Sequence, residues 1–70
     1  MKNSEVGFKI KKLREEKNLS QLELANILNI SQSKLSKIEN GRVEKIEHSL
    51  IIKFCNFFEI EVYDIYLQSS

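Results

Sequence analysis

Two serines and one asparagine set the frame of this sequence. Ser20 followed by Glu23 is the S-x-x-E pattern, in which a helix-capping hydroxyl takes the third helical N–H and the glutamate returns to the cap's own N–H. Leu19, just before the cap, can staple onto Leu24 inside the helix. Asn29 then stands where a helix C-terminus calls for the left-handed conformation that asparagine tolerates. Shortly after it Ser31 offers another N-cap, with Ile30 and Leu35 repeating the staple. Two short helices joined by a turn of about three residues have the spacing of a helix-turn-helix. Few folds remain open to such a pair, because each helix buries a single face and needs a neighbour to cover it.

Apolar residues recur at helical spacing on both sides of this pair, and the chain has no proline. The spacing predicts a first helix from Ser4 as N-cap to about Lys17, with Val6, Ile10 and Leu13 facing inward and "KNLS" breaking it. In the second helix Leu24, Ala25 and Leu28 face inward; the third runs from Ser31 to about Glu39 and closes on Asn40 and Gly41. A loop, "RVEKIE", leads to a fourth helix near Glu47 to Glu59, where Leu50, Ile51, Phe54, Cys55 and Phe58 make the most apolar and most central segment. Val62 to Leu67 can add one or two turns anchored by Ile60 and Ile65. The expected fold is all-α: a compact bundle of about five short helices in one domain over residues 1–70.

Length and composition narrow the function. A chain of 70 residues buries only about 60% of the surface its unfolded form exposes, so help from a partner chain is expected. At 41% hydrophobic and 30% charged it reads as an ordinary globular protein. No apolar run approaches the roughly 18 residues of a membrane span, and "MKNSEVGFKI" lacks the apolar core of a secretory signal, so a cytoplasmic location without a membrane partner is expected. One cysteine, Cys55, and one histidine, His48, cannot make an internal disulfide or a usual zinc site, and neither has the acid or base neighbours of a nucleophile. Cys55 reads as a small buried hydrophobe, and His48 as an exposed or half-exposed residue near a helix start. With two glycines there is no phosphate-cradling loop of the Walker or dinucleotide type. The expectation is a non-enzyme with no metal, cofactor or small-molecule ligand.

The charge distribution points elsewhere. Residues 1–45 carry ten Lys or Arg against six acidic residues, whereas residues 46–70 carry one against four. Net charge is only +1, so the basic character is local. In the third helix, Leu35 and Ile38 turn inward and leave Gln32, Ser33, Ser36 and Lys37 on the opposite face, with Asn40 and Arg42 just beyond. Lys34 takes the third helical position, where the second helix has Glu23. A cation there costs a few tenths to about 1 kcal/mol unless an anion is nearby, and a DNA phosphate would be such an anion.

The stretch "LREEKNLSQLELANILNISQSKLSKIENG" resembles the Cro and C1 repressor type of helix-turn-helix, with L-R ending the first helix, S-Q opening the second, L-A in its middle and I-E-N-G closing the third. The resemblance covers about residues 6 to 65 and implies a lambda-repressor-like DNA-binding domain, its helix-turn-helix over about 20–39 and its recognition helix over about 31–39. It implies that Gln32, Ser33 and Lys37 face base edges of double-stranded DNA, roles that glutamine, serine and lysine can fill. It further implies phosphate contacts from Gln21, Lys34, Asn40 and Arg42, and a structural ion pair between Arg14 and Glu39. The sequence departs from the family pattern in three places. Asn29 replaces a usual glycine, the loop after Gly41 lacks a common proline, and Glu61 replaces a usual cap of the fifth helix.

Once the core is filled, Phe57, Tyr63, Tyr66 and Leu67 remain near the acidic end, and Phe8, Leu22 and Ile27 remain elsewhere. The C-terminal group suggests a homodimer surface over about residues 57–67, which would set two recognition helices about one DNA turn, roughly 34 Å, apart on a palindromic operator. The expected function is a dimeric operator-binding regulator, with no effector domain in view, of the kind shared by small phage repressors, restriction-modification controllers and antitoxin-type autoregulators. The rival class is a protein-binding adaptor that uses the Phe57 and Tyr63 surface and has little affinity for DNA.

Overall fold

The computed structural model describes residues 3–66, and for side chains residues 5–66. Five helices follow one another: α1 (Asn3–Glu16), α2 (Gln21–Leu28), α3 (Gln32–Glu39), α4 (His48–Phe58) and α5 (Val62–Tyr66). Among the described residues there is no strand, so the fold is all-α. The α1 helix packs on α3 and α5, α2 packs on α3, and α4 packs on α5. Between them lies one apolar cluster that includes Val6, Ile10, Leu24, Leu35, Ile38, Ile51, Phe54 and Ile65, each with 1% or less of its surface exposed. Leu13, Leu19, Ile30, Phe57 and Ile60 lean on its rim, partly buried.

Most helix ends follow from single residues. Asn18 takes φ 58° just past the end of α1, and Asn29 takes φ 59° as the C-cap of α2. Gly41, after α3, takes φ 71°, a conformation that glycine adopts without a Cβ penalty. Three boundaries differ from those the sequence predicts. Asn3 is already helical, so Ser4 lies inside α1 rather than capping it, a position that costs serine only about half a kcal/mol against alanine. Glu47 and Glu59 flank α4 as its caps instead of forming its first and last turns. Leu67, expected in the fifth helix and in the dimer surface, lies outside the described residues.

The expected weakness at Glu61 is met from inside the helix. Asp64 sits at the third position of α5, and its carboxylate accepts the backbone N–H of Glu61 at 3.3 Å, half of a capping box run in reverse. Buried Gly7 is the other local device. A Cβ at this position would overlap the carbonyl oxygen of Ile38, so α1 and the end of α3 approach backbone to backbone. That approach fixes the end of α3 against α1.

Candidate nucleic-acid interface

The helix-turn-helix is built from its caps. The Ser20 hydroxyl accepts the N–H of Glu23 at 3.0 Å while the Glu23 carboxylate accepts the N–H of Ser20 at 2.8 Å. Left-handed Asn29 then turns the chain, with Ile30 N–H donating back to Ala25 C=O at 2.9 Å. The Ser31 hydroxyl accepts the N–H of Lys34 at 3.0 Å and starts α3. With Leu24, Ala25, Leu28, Leu35 and Ile38 buried, the outer face of α3 is left to polar side chains.

That face is open. Gln32, Ser33, Lys34 and Lys37 are exposed, Ser36 is half-buried, and Asn40 and Arg42 are exposed just past the helix end. The three residues assigned to base edges, Gln32, Ser33 and Lys37, are therefore accessible together on one helix, with no apolar side chain exposed on α3. Asn40 leans back along the helix, its amide 3.4 Å from the Ser36 hydroxyl. Lys37 lies in the last turn, where a cation suits the helix dipole.

Under this face sits a buried charged cluster. Arg14 Nε donates to Glu39 Oε2 at 2.8 Å and its Nη2 to Oε1 at 3.0 Å, a bidentate pair, while Nη1 donates to the carbonyl of Leu19 at 2.7 Å. Both residues are more than nine-tenths buried. The hydrogen bond to Glu39 raises the Arg14 guanidinium above its ordinary value, against the opposing pull of burial. The cluster ties the end of α1 to the end of α3, and it removes Arg14 from the charges a ligand could meet. Gln21 joins it: its amide donates to Glu39 Oε1 at 3.0 Å, so this half-buried side chain, assigned to phosphate, has one donor already engaged.

Lys34 is not without an anion. Its Nζ lies 3.0 Å from Glu47 Oε1, across the loop between α3 and α4, and this pair is solvent-exposed. The hydrogen bond from Lys34 holds the Glu47 carboxyl below the ordinary carboxylate range. The position of Lys34 in the first turn therefore does not by itself call for a phosphate, because the protein supplies one anion itself. Neither this pair nor the Gln21–Glu39 bond is visible as a spacing, because each joins separate elements. Gly7 did leave a signal, since a glycine inside a helical pattern costs about 1 kcal/mol against alanine and so points to a packing reason.

The C-terminal aromatics divide. Phe57 is half-buried, packed edge-on against Phe58 with ring centroids 5.1 Å apart, and Lys17 Nζ lies 5.7 Å from its ring centre. Tyr63 is 71% exposed and Tyr66 36% exposed, so those two present the open aromatic surface. Phe8, Leu22 and Ile27 are exposed on α1 and α2. Cys55 is a buried free thiol, pushed up from its ordinary value by burial, and His48 is exposed at the start of α4. Among the described residues no cluster of His, Cys, Asp and Glu could hold a metal, and no helix is long and apolar enough to cross a membrane.

Comparison with known proteins adds four likenesses. A family model described as a helix-turn-helix domain matches residues 7–69. Antitoxin PezA of Streptococcus pneumoniae serotype 4 is 40% identical over 60 residues; the match covers 86% of this chain and 37% of the antitoxin, so the chain spans little more than a third of that relative. The restriction-modification controller protein C.AhdI from Aeromonas hydrophila superposes with a TM-score of 0.82 at 25% identity, over 91% of this chain and 96% of that one. The clp gene regulator ClgR from Corynebacterium glutamicum superposes with a TM-score of 0.81 at 25% identity, over 90% of this chain and 66% of that one.

Proposed function

The chain belongs to the helix-turn-helix domain family, and from that premise we propose that it is a DNA-binding transcriptional regulator that occupies a palindromic operator as a homodimer. The observation that carries this reading is the outer face of α3, where Gln32, Ser33 and Lys37 stand exposed on a helix fixed at its start by the Ser31 cap and at its end by Glu39 and Gly7. An anchored helix with a polar, partly basic face suits readout in the major groove. In this reading Gln32, Ser33 and Lys37 meet base edges, while Gln21, Lys34, Asn40 and Arg42 hold the flanking phosphates. Gln21 can do so while keeping its bond to Glu39, because its amide has a second N–H and sits at the N-terminus of α2.

Relatives described as an antitoxin, a restriction-modification controller and a gene regulator support a regulatory role, as repressor or autoregulator. The partner of the proposed dimer is a second copy meeting through Tyr63 and Tyr66, with Phe57 at the margin and Leu67 beyond the described residues. Selection of bound sequences from a random duplex pool tests the reading. An inverted repeat with half-sites about one helical turn apart is expected, and binding whose log affinity falls linearly with log salt. A pool left unenriched, with no salt-dependent binding to any duplex, would overturn it.

A further inference from the structure

Glu47 stands at the N-cap of α4, a position where a serine, threonine, aspartate or asparagine would accept a helix N–H. It makes no such bond. Its carboxylate reaches instead across the interhelix loop to Lys34 Nζ at 3.0 Å. Lys34 stands at the third position of α3, a helix with no acidic residue in its first turn. The residue that could have capped α4 thus compensates a lysine on the face assigned to DNA.

We propose that Glu47 is an internal competitor for DNA phosphate at Lys34, a built-in carboxylate that must be displaced before this lysine can contact the backbone and that lowers the affinity of the surface for every duplex alike. This inference rests on the DNA-binding reading. Geometry supports it in two ways. The pair is exposed on both sides, with 43% of the Lys34 side chain and 63% of the Glu47 side chain accessible, so it can open without disturbing the core. The lysine also has a long flexible stem and a single compact charge, which can exchange one oxygen anion for another without a fixed bidentate geometry. Contacts to phosphate carry no sequence information, so the competition acts on operator and random DNA together. It restrains residence on non-specific DNA, whose affinity comes almost wholly from such contacts.

The experiment is a double-mutant cycle of Glu47→Gln and Lys34→Met, read as affinity for a random-sequence duplex at fixed low salt, with thermal melts verifying that all four proteins are folded. An exposed ion pair of ordinary strength corresponds to a two- to fivefold effect, so Glu47→Gln is expected to tighten binding by about that factor when Lys34 is present. In the Lys34→Met background the same substitution is expected to give a clearly smaller gain. An equal gain in both backgrounds would mean that Glu47 acts only by general repulsion, and it would overturn the competition. No gain in either background would overturn it too. A parent protein with no salt-dependent affinity for any duplex would overturn the DNA-binding reading, and the inference with it.

Discussion

At the scale of single residues, Gly7 and Arg14 have more structural consequence than any residue on the exposed face. Replacing Gly7 by Ala would add helix propensity worth up to about 1 kcal/mol, but its methyl would meet the Ile38 carbonyl, which belongs to backbone and cannot swing aside. Overpacking of this kind costs about 1–3 kcal/mol, so Gly7→Ala is expected to lower the thermal midpoint, against a rise if the contact were loose. Arg14→Ala leaves the Glu39 carboxylate and the Leu19 carbonyl without their guanidinium, and a loss of about 3–5 kcal/mol in urea unfolding is expected. Arg14→Met combined with Glu39→Leu removes both charges and should recover much of that loss; a double variant no better than Arg14→Ala would contradict a desolvation account. Cys55 makes a pH prediction. Burial raises its thiol above the ordinary 9.0, so the folded state holds the proton more tightly than the unfolded chain does. Its contribution is therefore complete below pH 9.0 and is lost as pH rises through the higher folded value. The stability advantage of the parent over Cys55→Ala should shrink from about pH 7 to about pH 10 in paired urea titrations.

At the scale of elements, the caps decide which helix is fragile. The α2 helix has a full capping box and a left-handed asparagine at its end, whereas α3 has only the Ser31 hydroxyl at its start and a cation in its first turn. Ser31→Ala should cost about 1 kcal/mol and fray the start of α3, readable as faster amide exchange there than in α2. The end of α4 is strained in a different way, because Glu59 takes φ 58°, a conformation that costs a side-chain-bearing residue about 1–2 kcal/mol. Glu59→Asn, which tolerates that conformation, should therefore raise stability by several tenths to about 1 kcal/mol in a calorimetric melt. These elements also show what the sequence could convey. Caps and turns are local, so Ser20, Glu23, Asn29, Ser31 and Gly41 were legible from their spacing alone, and so was the apolar periodicity that buries Leu35 and Phe54. Contacts between elements were not: nothing in the string links Lys34 to Glu47, or Gln21 to Glu39, because the fold and not a periodicity brings them together. The Arg14–Glu39 pair came within reach of sequence reasoning only through the family resemblance.

At the scale of the whole molecule, shape and charge bear on the proposed pairing. The body measures 28 × 24 × 21 Å, so two copies in contact have centres about one body width apart, short of the roughly 34 Å between successive major grooves on one side of DNA, and a pairing surface on the side away from α3 is needed to carry the two α3 helices out to that spacing. The acidic surplus of residues 46–70 favours a pairing surface away from the phosphates, because the basic surplus lies in residues 1–45 with the outer face of α3. Like charge on the pairing surface opposes association, so the apolar area of Tyr63 and Tyr66 has to outweigh it. That balance predicts a salt dependence of opposite sign for two steps: raising salt screens the acidic ends and should favour the dimer, while weakening its hold on DNA. Sedimentation at tens of micromolar protein, at low and at moderate salt, measures the first step, and duplex affinity over the same range measures the second. Tyr63→Glu adds a charge to the most exposed aromatic and should shift the protein to monomer, lowering affinity for a palindromic duplex far more than for a single half-site. Equal losses on the two duplexes would place Tyr63 outside the pairing surface, and a parent that stays monomeric with palindromic DNA present would remove the dimer altogether.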